Sequence, residues 1–137
     1  MDENQLSREI IAAALEVHKA LGPGLLESAY EECLAREFGL RGIAFARQVL
    51  LPVSYKEVAV DAGYRLDFVV SDLVVVELKA VDALLPIHQA QVLTYLKLSR
   101  KKLGMLINFN TARLRSGIKR VVLGLEDSVF APIAPLR

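Results

Sequence analysis

The chain has 137 residues and a net charge of +1, with 53% hydrophobic and 24% charged residues; this is enough for one domain with a real core and too apolar for a disordered chain. Its single cysteine, Cys33, excludes an internal disulfide, and the paired spacings of a zinc site are absent. No apolar run approaches the roughly 20 residues of a membrane span, and the acidic, polar opening Met1-Asp2-Glu3-Asn4-Gln5 does not resemble a secretory signal, so the expectation is one cytoplasmic domain, 1–137, away from membranes.

Residues 4–21 are predicted to form an amphipathic helix stopped by Gly22-Pro23-Gly24. Ile11, Ala14, Leu15 and His18 recur at helical spacing, which favours a packed core histidine over a catalytic one. A second helix spans 25–38 and ends at Gly39. On a wheel of about 100° per residue, Glu27 falls between Leu34 and Phe38 on the apolar side, whereas Glu32 and Arg36 point away. An inward acid at a helix start fits either a capping group or an acid that faces a site.

Strand-like segments follow at 43–51, 53–60, 64–70 and 73–80, with turns at Asp61-Ala62-Gly63 and Ser71-Asp72. The most apolar of them, Leu73-Val74-Val75-Val76-Glu77-Leu78-Lys79-Ala80, nevertheless holds an acid and a base, and Asp67 lies ten positions before Glu77. An unpaired charge at a core position costs several kcal/mol, so such charges persist where they are paired, hydrogen-bonded or metal-bound. The last two strands are joined too tightly for anything but an antiparallel hairpin. A three-residue loop, 71–73, sets Asp67 opposite Glu77, with Cβ atoms about 4.5–5.5 Å apart. A two-residue loop opposes Asp67 to Val76 and sends the acids to different faces. Lys79 shares the face of Glu77 in either case. Facing carboxylates repel unless something positive lies between them, and oxygen ligands suit magnesium or manganese. A structural Glu77–Lys79 or Asp67–Arg65 pair is the competing reading.

A helix begins at Pro86 and continues to about Arg100. Gln91 and Tyr95 face together on it, with His88 in the same sector, and form a wall suited to a polar substrate. Residues 103–109 read as a buried strand and 118–123 as a shorter last one. The order ααββββαββ gives an α/β fold: a central mixed sheet flanked by helices. Charge is polarised along this order: residues 1–66 and 67–82 each carry −3, 83–125 carry +8 with no acid, and the last twelve carry −1. Lys97, Arg100, Lys101 and Lys102 close the third helix and are candidates for contact with a phosphate backbone. An ordinary solvated face, favoured by the helix dipole, is the other reading of them.

Asp67, then Glu77-Leu78-Lys79, then Gln91-Val92-Leu93-Thr94-Tyr95 resembles the Asp…Glu-x-Lys…Gln-x-x-x-Tyr order of the PD-(D/E)XK nuclease superfamily. Gly24-Leu25-Leu26-Glu27-Ser28-Ala29-Tyr30 is similar to the motif that names its small GxxExxY branch. The resemblance runs from about Ile10 to Val122; Leu66 stands where the superfamily's named proline would be, a position without a chemical role. It implies a restriction-endonuclease-like core and Mg2+- or Mn2+-dependent hydrolysis of phosphodiester bonds in DNA, less readily RNA. Asp67, Glu77 and the Leu78 carbonyl would hold the metal, Lys79 would orient or polarise the attacking water, and Glu27 would hold metal or its water. Gln91 and Tyr95 would position the phosphate or the strands of the site. A non-catalytic nucleic-acid-binding or protein-interaction module on the same fold is the alternative, and a chain this small leaves room for recognition by a homodimer or through a larger partner.

Overall fold

The computed structural model describes residues 1–125; the final twelve, read above only for their charge, lie outside the described residues. Helix α1 (Glu3–Leu21) opens on a capping box: the Asp2 carboxylate accepts from Gln5 N–H, and the Gln5 side chain accepts from Asp2 N–H. Helix α2 (Glu27–Leu40) follows the glycine-rich turn. Strands β1 (Phe45–Leu50), β4 (Arg65–Val70), β5 (Val74–Lys79), β6 (Leu103–Asn108) and β7 (Ile118–Val122) form a five-stranded sheet in the order β1-β4-β5-β6-β7. Only β5–β6 is parallel, and helix α3 (Pro86–Ser99) makes that crossover.

The segment 53–60 differs from its sequence reading as one strand. It is a separate hairpin of β2 (Val53–Tyr55) and β3 (Val58–Val60), turned at Lys56 and Glu57, which both adopt left-handed φ of 49° and 69°. Such turns usually announce themselves with Asn or Gly, and neither stands here. A 3₁₀ turn at Leu114–Gly117 leads into β7.

The sheet carries a core on each face. Phe68, Val70, Val74, Val76 and Leu78 pack under α1 and α2, together with Ile10, Tyr30, Leu34 and Phe38. Val69, Val75 and Leu106 pack under α3 with Val92, Tyr95 and Leu96. Burial on both faces explains why β5 reads as a continuous apolar run. It also makes Glu77, only 6% exposed, the anomaly within that run. Among the described residues no helix is long and apolar enough to cross a membrane.

Candidate active site

The β4–β5 ladder pairs Val70 with Val74, Val69 with Val75 and Phe68 with Val76, the register of the three-residue loop. Continued by one step it sets Asp67 opposite Glu77, but there side chains replace the backbone ladder. Leu78 N–H donates to Asp67 Oδ2 at 2.8 Å, and Asp67 N–H donates to Glu77 Oε1 at 3.4 Å. Burial, and then the neighbouring Asp67 carboxylate, push the Glu77 carboxyl up to about 9, while Lys79 pulls it down. In the metal-free chain a proton therefore relieves the repulsion between the two acids. Lys79, half-buried at the end of β5, lies beside Asn108 of β6.

Glu27 begins α2 at the rim of this site. The residue is exposed, yet its carboxyl is held above the ordinary value, first by burial and then by Asp67, with Lys79 opposing. Its carboxyl therefore feels Asp67 and Lys79 from the end of the sheet, although α2 packs on the face opposite α3, and its exposure corrects the expected inward position on the apolar side of the helix. The rest of its motif is structural. Gly24 sits at φ 98° and donates its N–H to Asn110 Oδ1 at 3.1 Å. Tyr30 is fully buried, stacks on Phe109 at 4.5 Å, donates its hydroxyl to the Gly22 carbonyl at 2.6 Å and accepts from Leu25 N–H at 3.1 Å. The glycine and the tyrosine thus pin the turn from which Glu27 projects.

On α3, Gln91 and Tyr95 line one cavity. The Tyr95 phenol is pushed up chiefly by burial and then by Glu77, Tyr64 and Asp67, while a hydrogen bond from Gln91 opposes this. His88 does not join the wall: its Nδ1 accepts from Leu85 N–H at 2.9 Å and closes the start of the helix. His18 Nε2 is 2.8 Å from the Thr111 carbonyl oxygen and its ring packs near Phe109, so it serves the packing of α1. The basic end of α3 is remote from the acids. Lys101 Nζ pairs with Asp72 Oδ1 at 2.9 Å, at the hairpin turn where β5 begins, whereas the site lies where β5 ends. Lys97, Arg100 and Lys102 are exposed around it.

Two contributors left no clear trace in the sequence reading. Gln48 falls opposite Asp67 between the pairs Arg47–Phe68 and Val49–Leu66, with a left-handed φ of 51°. The pleat reverses there on both strands: Arg47 and Phe68 face α2, while Val49 and Leu66 join the α3-side core. Gln48 Nε2 donates to Glu31 Oε1 at 2.7 Å, and Arg47 pairs with Glu31 and Glu32, each at 2.8 Å, which ties the kink to α2. Asn108, buried at the end of β6, accepts from Val81 N–H and Asn110 N–H and donates to the Val81 carbonyl. It fixes the chain that leaves Lys79, while Asn110 reaches the turn before Glu27. The run Asn108-Phe109-Asn110 was the available signal, because buried amides in a strand end need partners.

The donor chemistry suits a hard divalent cation. Asp67, Glu77 and a backbone carbonyl offer oxygens only. Leu78 N–H points toward β4, and a strand residue projects its N–H and C=O to the same side, so the Leu78 carbonyl points that way too. Among the described residues no group of three or more His, Cys, Asp or Glu is arranged to hold a metal by itself.

A mixed sheet flanked by helices, with acids and a lysine where two central strands part, defines a restriction-endonuclease-like α/β protein. The chain belongs to the PD-(D/E)XK nuclease superfamily, whose family model matches residues 4–121. Among curated proteins and among solved structures none matches significantly.

Proposed function

We propose that this chain is one metal-dependent nuclease domain of the GxxExxY branch that hydrolyses phosphodiester bonds in DNA. The observation that carries this reading is Glu77: a nearly buried acid faces a second acid beside Lys79, an arrangement costly to the fold unless the site is used. Asp67, Glu77 and the Leu78 carbonyl would hold Mg2+ or Mn2+, with Glu27 reaching it from the rim. Bound there, the ion would supply positive charge against the phosphate and acidify water.

The side chains have distinct tasks. The Lys79 ammonium orients the attacking water and stabilises the charge that gathers at phosphorus. Water oxygen bonds to phosphorus and gives up a proton to solvent, the bond to the leaving oxygen breaks, and the leaving oxygen takes a proton from solvent water. Gln91 holds the Tyr95 phenol, and the pair steadies the strand ends beside the phosphate. Exposed Lys97, Arg100 and Lys102 lie where a long substrate's backbone could pass; Lys101 would first have to leave Asp72.

Titration calorimetry with Mg2+ and Mn2+ tests the assignment. Wild type should bind, and Asp67→Ala/Glu77→Ala should not. Equal binding by both would move the metal elsewhere.

A further inference from the structure

We propose that the cavity beside the two acids is a nucleobase site, taking one unstacked base of the substrate, so that single-stranded or base-extruded nucleic acid is preferred over intact duplex. The inference rests on the nuclease reading and names its substrate class. The cavity is about 470 Å³, within the range of small-ligand sites. Val53, Ile87 and the rings of Tyr64 and Tyr95 form apolar walls, and Gln91 and Thr94 add polar groups. Among the described residues no Asp, Glu, Lys or Arg lines it, so it suits a neutral, flat ligand with a polar edge better than a phosphate.

The two tyrosines give the site its character. Their ring centroids are 6.2 Å apart and inclined at 57°, so neither ring covers the other. Tyr64 is 44% exposed, although an aromatic ring gains most when covered. Aromatic faces of this kind stack on bases of any sequence. Gln91 carries both a donor and an acceptor and can meet a base edge.

Continuity with the acids selects the occupant. Tyr95 lines the cavity and lies close enough to Glu77 and Asp67 for both to act on its phenol. Tyr64 precedes Asp67 by three residues on the same chain segment. A nucleotide whose phosphate sits at the acids therefore has its base within reach of the cavity. A base stacked inside a duplex cannot enter without leaving the stack, which costs unpairing energy.

Fluorescence anisotropy with EDTA present reads binding apart from cleavage. The probes are a labelled single-stranded deoxyoligonucleotide, the same strand with abasic sites, and the matching duplex. Wild type should bind the base-bearing strand about tenfold more tightly than the abasic one. Tyr64→Ala should abolish that difference and Tyr64→Phe should keep it. Thr94→Leu, at an exposed helix position, should abolish it by filling the cavity even if Tyr64→Ala does not fold. Binding without dependence on bases, or a difference that survives both Tyr64→Ala and Thr94→Leu, overturns this inference alone. Failure to bind any of the three probes overturns the nuclease reading with it.

Discussion

Gln48 stands opposite Asp67 in the β1–β4 ladder, and at this one step both strands reverse their pleat. A left-handed φ of 51° in a non-glycine strand residue costs energy and persists only where surroundings impose it. Here the hydrogen bond to Glu31 holds it. The consequence is that the Asp67 carboxylate lies across to β5 and takes the Leu78 N–H that a regular ladder would have paired with backbone.

Substitution at Gln48 should separate strain from hydrogen bonding. Gln48→Val, β-branched, resists left-handed φ and should cost about 1–3 kcal/mol while weakening divalent-metal binding. Gln48→Gly accepts that φ, and should stay within about 1 kcal/mol of wild type because relief of strain offsets the lost bond. Denaturant titrations and calorimetry of both variants provide the check; identical behaviour would show that the kink does not position Asp67.

Glu77 should make the metal-free protein less stable as pH rises. Its folded-state pKa is raised from 4.5 to about 9, so between these values the unfolded carboxyl has lost its proton while the folded one keeps it, and stability falls with rising pH. Glu77→Gln removes this loss. Its melting temperature should exceed that of wild type near pH 8, by an amount equivalent to at least about 1.4 kcal/mol, the value of a tenfold change in protonation. The gap should close toward pH 4. A variant that melts below wild type at pH 8 would instead make Glu77 half of a stabilising ion pair.

Asn108→Ala should loosen the loops around the site. It leaves the Val81 and Asn110 backbone groups without their partner in a part-buried setting, where an unmet group costs at most about 1–3 kcal/mol. Amide exchange at Val81 and Asn110 should accelerate well beyond the change in the sheet centre. Unaltered protection at both positions would remove Asn108 from the positioning of Lys79.

Much of this was legible in advance, and the misses have physical causes. The α/β order, the mixed sheet and the grouping of Asp67, Glu77 and Lys79 follow from periodicity and from charges placed in an apolar strand. The hairpin register stayed ambiguous because β5 is buried on both faces, which leaves no polar alternation to fix it. Left-handed Ser71 and Asp72, with Leu73 N–H bonded to the Val70 carbonyl, settle it as three residues. The β2–β3 turn and the Gln48 kink were invisible because Lys, Glu and Gln stand where glycine or asparagine would have signalled φ above zero. His88 shared a helical sector with Gln91, but a helix's first turn also has amides to cap.

The basic end of α3 should act through charge alone. Arg100→Ala/Lys101→Ala/Lys102→Ala should weaken DNA binding similarly for all sequences and flatten its salt dependence, by roughly 0.9 in slope per lost phosphate contact on duplex DNA and roughly 0.7 on single strands. Binding measured from low to moderate salt decides it; a triple variant with the wild-type slope would leave this end an ordinary solvated face.

The most direct test is cleavage itself. Linear, nicked, branched and single-stranded DNA should be incubated with the wild-type chain in magnesium or manganese, in EDTA, and in parallel with Lys79→Ala and Glu77→Gln. We expect metal-dependent cleavage of at least one substrate by wild type, none in EDTA, and a loss of about a hundredfold or more in each variant. Absence of cleavage under every condition, or equal cleavage by Lys79→Ala and wild type, would contradict a hydrolytic role for Asp67, Glu77 and Lys79 and leave a binding module on a nuclease fold.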